Sequence, residues 1–200
     1  MGEPREFWAE RWQTNHTPWD MGQEHPLLTK LLGVAKVEGR LDDSARIMVP
    51  GCGRAHDGAA MARRGYRVDC TDLIDGAIKE ALKLYSSLTN FTAYSTDALT
   101  TSAKEEGAYD AIFDRAMLCA LQPGNRKTYV TECARKLRSG GLFMGILFAD
   151  VDREKGPPFA LTTEDVFNLF SPLYTLVSLE TVKSDNDIIR EEHVCVWRKK

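Results

Sequence analysis

The residue types best suited to chemistry fall in Arg46–Asp72, which reads RIMVPGCGRAHDGAAMARRGYRVDCTD. A short apolar run, Ile47–Val49, ends at Pro50, and Gly51-Cys52-Gly53 follows at once. Glycines at a strand-to-helix turn let backbone approach a ligand, because no Cβ intervenes. The helix that begins there offers unpaired N–H groups. Asp72 comes 21 residues after Gly51, which places it at the tip of the neighbouring parallel strand. A carboxylate in that position accepts hydrogen bonds from ribose hydroxyls. The third glycine of a dinucleotide fingerprint is replaced by His56, so the turn lacks the room a pyrophosphate needs. A cofactor with a ribose and no phosphates fits, and S-adenosylmethionine is the expected one. The plain alternative is a glycine turn in a nucleotide-free α/β fold.

Three of the four tryptophans crowd the first nineteen residues: Trp8, Trp12 and Trp19. Trp8 and Trp12 share one helical face. They read either as filler at the end of a sheet or as a lid over a cationic, planar ligand, where a sulfonium above an indole gains about 0.5–2 kcal/mol. Asp97 stands just past a third expected strand, placed to meet the exocyclic amine of an adenine or merely to cap a loop. Arg115 ends a fourth strand, at the crevice of a parallel sheet. There it meets an anion such as a methionyl or substrate carboxylate, or it pairs with Asp114 or Asp97. The four histidines show no metal-ligand spacing, and Asp150–Pro158 fails the calcium-loop pattern, so no metal is expected.

Elements must position these groups. Strands are expected at Ile47–Val49, Tyr66–Thr71, Phe91–Ser95, Tyr109–Asp114 and Leu142–Phe148, with a closing hairpin of Leu173–Val182 and Glu192–Arg198 joined by Lys183–Glu191. Helices are expected up to Arg64 with Gly65 as C-cap, over Asp75–Leu84 with Ile78, Ala81 and Leu82 inward, and over Lys127–Leu137, ended by Ser139-Gly140-Gly141. Another runs through Asp165–Phe170, capped by Thr162 or Thr163. A short helix with Leu27, Leu28, Leu31 and Leu32 on its buried face precedes the first strand. Alternation followed by a hairpin gives a mostly parallel sheet covered on both faces.

Residues 1–200 read as a single domain, with 1–32 as an N-terminal helical lid. A hydrophobic fraction of 43% and a charged fraction of 28% suit a globular chain. The net charge of −3 supplies no basic field for nucleic acid. No apolar run approaches a membrane span, and the acidic, aromatic N-terminus is unlike a signal peptide. The five cysteines contain no C-x-x-C pair. Cys70, Cys119 and Cys195 look like core residues and Cys52 like loop packing, so a reducing, cytoplasmic setting is expected.

Several blocks in order make the chain resemble the thiopurine S-methyltransferase family of S-adenosylmethionine-dependent enzymes. They are FWAERW at Phe7–Trp12, TPWDMGQEHPLL at Thr17–Leu28, VPGCGRAHD at Val49–Asp57, FDRAMLCALQPGNRKTY at Phe113–Tyr129 and GPPF at Gly156–Phe159. The resemblance implies a seven-stranded Rossmann-like methyltransferase sheet (class I) with its last strand antiparallel. It implies cofactor contacts at Trp8, Trp12, Gly51, Asp72, Asp97, Ala98 and Arg115, with Trp19 near the acceptor; Gly53 of the same glycine turn is a further cofactor candidate. Plant-type halide and thiol methyltransferases share the VPGCG and GPPF blocks but generally lack the arginine of Asp114-Arg115, which leans this chain toward the thiopurine-like branch. Pro50-Gly51-Cys52-Gly53 leans the other way.

The expected activity is methyl transfer to the sulfur of a small aromatic or heterocyclic thiol by a monomer, with S-adenosylhomocysteine as product. Arg115 and Arg190 are candidates to favour the thiolate or hold a substrate carboxylate, and no catalytic dyad is evident. The competing readings are a halide, thiocyanate or sulfide methyltransferase of the same fold, and a non-catalytic protein that binds the cofactor. An NAD-linked oxidoreductase is disfavoured by the missing third glycine.

Overall fold

The computed structural model describes residues 5–152, 155–184 and 188–200. Helix α1 (Arg5–Gln13) and helix α2 (Leu28–Val37) precede strand β1 (Arg46–Pro50). Helix α3 (His56–Arg63), strand β2 (Arg67–Asp72), helix α4 (Asp75–Tyr85), strand β3 (Phe91–Ser95) and strand β4 (Tyr109–Arg115) follow. A 3-10 turn at Leu118–Ala120 leads into helix α5 (Pro123–Lys136) and strand β5 (Leu137–Val151). Helix α6 (Thr163–Phe170), strand β6 (Tyr174–Lys183) and strand β7 (Ile189–Lys199) complete the chain.

The seven strands form one sheet in the order β3-β2-β1-β4-β5-β7-β6. β1 to β5 pair in parallel, whereas β7 runs antiparallel to both β5 and β6. This is the expected seven-stranded, mostly parallel sheet with an antiparallel last strand. Side chains alternate across it. Ile47, Val49, Ala111 and Phe113 join the core beneath α2 and α3, while Met48, Ile112 and Phe143 join the core with Tyr129 and Phe170 of α5 and α6. The fourth tryptophan, Trp197, stacks on Phe170 at 5.4 Å in that second core.

Some boundaries differ from expectation for local reasons. α5 begins at Pro123 rather than Lys127, because proline at the first helical position gives up an N–H that would have no partner anyway. It ends at Lys136, since Leu137 already pairs with Tyr109; Gly140-Gly141 falls inside β5, at an irregularity in the ladder. In α4 the buried face is Ala77, Ile78 and Ala81, and Leu82 is 37% exposed. Thr162 rather than Thr163 caps α6, in a reciprocal capping box with Asp165. Of the expected hairpin connection and charged loop, residues 185–187 and 153–154 lie outside the described residues, as does 1–4 of the expected lid. No helix among the described residues is long and apolar enough to cross a membrane.

The third glycine of the fingerprint proves to be displaced. A Cβ on Gly58 would stand 2.2 Å from Cys70 Sγ, so this glycine is what lets α3 lie close on β2. Its packing role is kept two residues beyond the position His56 occupies.

Candidate functional site

The order of the sheet reverses between β1 and β4, and ligands of open α/β sheets bind outside the strand ends at such a point. Here the strand ends deliver Gly51–Gly53, Asp72, Thr96–Ala98 and Arg115–Met117 to one cavity of about 670 Å3, within the range of small-ligand sites. Trp8, Trp12 and Trp19 line it as well. Nine of the ten candidate residues therefore converge: Trp8, Trp12, Trp19, Gly51, Gly53, Asp72, Asp97, Ala98 and Arg115.

Arg190 is the exception. It is not part of the cavity wall, and its guanidinium stands 2.5 Å from Asp152 and 3.5 Å from Asp150 in an exposed cluster. The carboxylates of Asp150 on β5 and Asp152 just past its end hold it there.

Asp72 is held rigidly. Its Oδ2 accepts the Gly53 amide at 3.0 Å and its Oδ1 the Ile74 amide at 3.0 Å. Each oxygen keeps a lone pair for a further donor. Burial pushes the Asp72 carboxyl above its ordinary range, against the pull of these amides. Asp97 is exposed at the rim, where its Oδ1 accepts the Leu99 amide at 2.9 Å. Ala98 beside it is buried, and its carbonyl lies 3.5 Å from the buried ammonium of Lys136. Lys136 also bonds the Thr100 carbonyl, so α5 steadies this loop.

Arg115 pairs with neither Asp114 nor Asp97. Its Nε donates to Asp57 Oδ2 at 3.0 Å and its terminal nitrogen to the Trp19 carbonyl at 3.4 Å. Asp57 Oδ1 in turn accepts the His25 amide at 2.7 Å. Arg115 thus ties β4 to the chain that carries Trp19.

The aromatic N-terminal segment is tied down by a residue that the sequence did not single out, Arg54. The guanidinium lies 5.0 Å from the Trp12 ring centroid, donates to Asn15 Oδ1 and Thr17 Oγ1 at 3.0 Å each, and bonds Asp20. Asp20 also accepts the Gly22 amide and lies 3.1 Å from His56 Nε2. Burial raises the Asp20 carboxyl, but the Arg54 and Gly22 hydrogen bonds and the nearby His56 outweigh it and the net shift is downward. No residue of α1 is buried, so Trp8 and Trp12 are not filler for the core. Arg54→Ala is expected to loosen this segment: limited proteolysis should cut before Gly22 in the variant sooner than in the parent. Affinity for S-adenosylhomocysteine should fall about tenfold, a typical loss for a charged hydrogen-bond network.

The position of Asp20 decides what α3 can bind. It places a carboxylate beside His56 at the start of that helix, where a dinucleotide would need its pyrophosphate. A phosphate-free cofactor is therefore the one that fits. Cys52 is packed in the turn: the neighbouring Cys70 thiol, and then burial, push its pKa up, so it is no nucleophile at neutral pH.

Beneath the site, Asp114 is fully buried and accepts from Tyr129 Oη at 2.8 Å, Met117 N at 3.1 Å and Leu118 N at 3.2 Å. This fixes the turn that lays Met117 against Gly51. Burial pushes the Asp114 carboxyl up to about 6. Between pH 4 and 6 the folded state keeps a proton that the unfolded chain has lost, so this group's contribution to stability falls as pH rises, by about 3 kcal/mol in all. Asp114→Asn should flatten that part of the stability-versus-pH curve in denaturant titrations; parallel curves for the two proteins would contradict it.

The family model described as thiopurine S-methyltransferase matches residues 4–200. The chain belongs to the thiopurine S-methyltransferase family. Among relatives, it is 32% identical over 195 residues to the thiopurine S-methyltransferase of Pseudomonas fluorescens (strain SBW25), covering 89% of this chain and 86% of that one. It is 30% identical over 169 residues to probable thiol methyltransferase 2 of Arabidopsis thaliana, covering 83% and 72%. A solved structure of the N-methyltransferase NodS from Bradyrhizobium japonicum WM9, in complex with S-adenosylhomocysteine, superposes with a TM-score of 0.78 at 19% identity, covering 98% and 99%. That likeness is one of fold.

This family member is an S-adenosylmethionine-dependent S-methyltransferase, and the cavity suits that cofactor. Bare backbone at Gly51 and Gly53, a carboxylate with lone pairs to spare at Asp72 and an indole wall at Trp12 are complementary to a cationic adenosyl group. Besides Arg54, sequence reasoning overlooked Asp20, His25, Asp57 and Glu192, all of which line the same cavity. Arg54, Asp20, His25 and Asp57 fall in the blocks of resemblance and Glu192 in none, and nothing in the spacing said that they meet.

Proposed function

We propose that this chain transfers a methyl group from S-adenosylmethionine to the sulfur of a small aromatic or heterocyclic thiol. The observation that carries this reading is the apolar share of the cavity wall. Trp19, Phe148, Pro157, Pro158, Met117 and Leu121 all contribute to it, and the Arg115 charge is matched by Asp57. Such a lining suits a flat ring better than a hydrated ion.

In this reading Asp72 takes the ribose hydroxyls, Asp97 and Ala98 flank the adenine, and Gly51 and Gly53 give close backbone approach. Trp8 and Trp12 cover the sulfonium, Arg115 holds the Trp19 segment, and Trp19 packs on the acceptor. The cofactor supplies an activated methyl group. The chain's share of the work is alignment and exclusion of water. Holding two reactants in line accounts for up to about 7–11 kcal/mol of a barrier, and heterocyclic thiols ionise readily enough to need little further activation.

Labelled S-adenosylmethionine, a panel of aryl, heterocyclic and alkyl thiols, and mass analysis of the products test this; no methylated thiol from the panel would end it. A halide or thiocyanate acceptor is the second reading. It is favoured by a 28% identical relative, thiocyanate methyltransferase 1 of Brassica oleracea, and by the Pro50–Gly53 turn. Methyl iodide released in the presence of iodide distinguishes it.

A further inference from the structure

Glu192 is 3% exposed and His25 is 7% exposed, yet both line the cavity. Glu192 lies opposite Phe148, an apolar residue of the cavity wall, in the β5–β7 ladder. His25 Nε2 is 3.3 Å from Glu192 Oε1. The Leu27 amide donates to His25 Nδ1 at 3.2 Å, so Nδ1 carries a lone pair and the ring proton sits on Nε2, toward the carboxylate. Among the described residues no lysine or arginine is within ion-pair distance of Glu192. Arg115, which also lines the cavity, is paired with Asp57, and Lys183 stands exposed at the end of β6. A desolvated carboxylate without a cation is a poor stabilising device.

We infer that Glu192 accepts the proton of the acceptor thiol, with His25 as the positioning residue that holds its carboxylate. This rests on the S-methylation reading above. The thiol S–H proton passes to a Glu192 oxygen while a sulfur electron pair forms the new S–CH3 bond. The pair from the cleaved methyl–sulfonium bond stays on the departing sulfur, giving the methyl thioether, S-adenosylhomocysteine and a protonated Glu192 that later loses its proton to water. A carboxylate is basic enough for this. Sulfur that gains a methyl while keeping its proton becomes a strong acid, so its proton is readily taken in the transition state. A thiol that arrives already ionised has no use for the group.

The test compares two acceptors. 4-Nitrothiophenol is ionised at neutral pH; 2-mercaptoethanol, like ordinary thiols near ~8.5, is mostly protonated. Glu192→Gln should lower kcat/KM for 2-mercaptoethanol about 100-fold at pH 7 and change it less than threefold for 4-nitrothiophenol. The loss should shrink as pH rises toward 9.5 and solution thiolate appears, and affinity for S-adenosylhomocysteine by calorimetry should be unchanged. If Glu192→Gln does not bind S-adenosylhomocysteine, His25→Asn reports instead, with the same selectivity and a smaller loss. Equal losses on both thiols, or a loss on 2-mercaptoethanol that high pH does not restore, overturn the inference while leaving S-methylation standing. A parent protein that turns over neither thiol overturns both.

Discussion

Gly51→Val is expected to weaken S-adenosylhomocysteine binding about 100-fold or more, equivalent to about 2.7 kcal/mol. Two effects add. Gly51 has φ +61°, and a Cβ there would stand 2.6 Å from Met117 Sδ and 3.2 Å from Met117 Cβ. A β-branched residue in that region is strained by about 1–3 kcal/mol. Met117 Sδ can rotate aside, but Met117 Cβ moves only with its backbone, whose amide Asp114 accepts at 3.1 Å. The new side chain would therefore crowd the one stretch of wall that is bare backbone. Calorimetry on a variant with parent-like circular dichroism measures this, and an affinity within threefold of the parent would contradict it.

Asp72→Ala is expected to act on stability and binding together. The carboxylate accepts two backbone amides, from Gly53 and Ile74. Orphaning both costs roughly 2–6 kcal/mol at 1–3 kcal/mol each. Loss of the ribose hydroxyl contacts should weaken cofactor binding by a further ~1–3 kcal/mol. Asp72→Asn separates the two effects. Its carbonyl oxygen keeps one amide partner, so denaturant unfolding should recover part of the stability while affinity stays low. Unchanged affinity in both variants would show that the ribose is held elsewhere.

How far these groups could be read before the fold was known depends on how local their signals are. The turn at Gly51–Gly53 and the acid at Asp72 are joined by one β-α-β unit whose lengths are fixed by packing, so spacing alone placed them. The strands announced themselves through apolar runs such as Leu142–Phe148, and the closing hairpin through two strand-like segments joined by the polar stretch Lys183–Glu191. Boundaries were harder where a residue serves two elements. Pro123 reads as a helix breaker, yet at the first position of α5 it is a helix starter. The ion pairs were out of reach. Arg115 with Asp57, Arg54 with Asp20 and His25 with Glu192 join residues 58, 34 and 167 positions apart, and no periodicity predicts which charges meet across a cavity. The pairing of Arg190 was equally out of reach, since its partners Asp150 and Asp152 sit on the adjacent strand of the sheet and just past its end.

The most direct test of the account is the structure of the chain crystallised with S-adenosylhomocysteine. The account predicts the adenosyl ribose within hydrogen-bond distance of both Asp72 oxygens, the adenine against Asp97–Ala98, and the homocysteine sulfur beneath Trp12, opening toward Trp19. A nucleoside bound away from the β1–β4 switch point, or an N-terminal segment lifted off the occupied cavity, would contradict it.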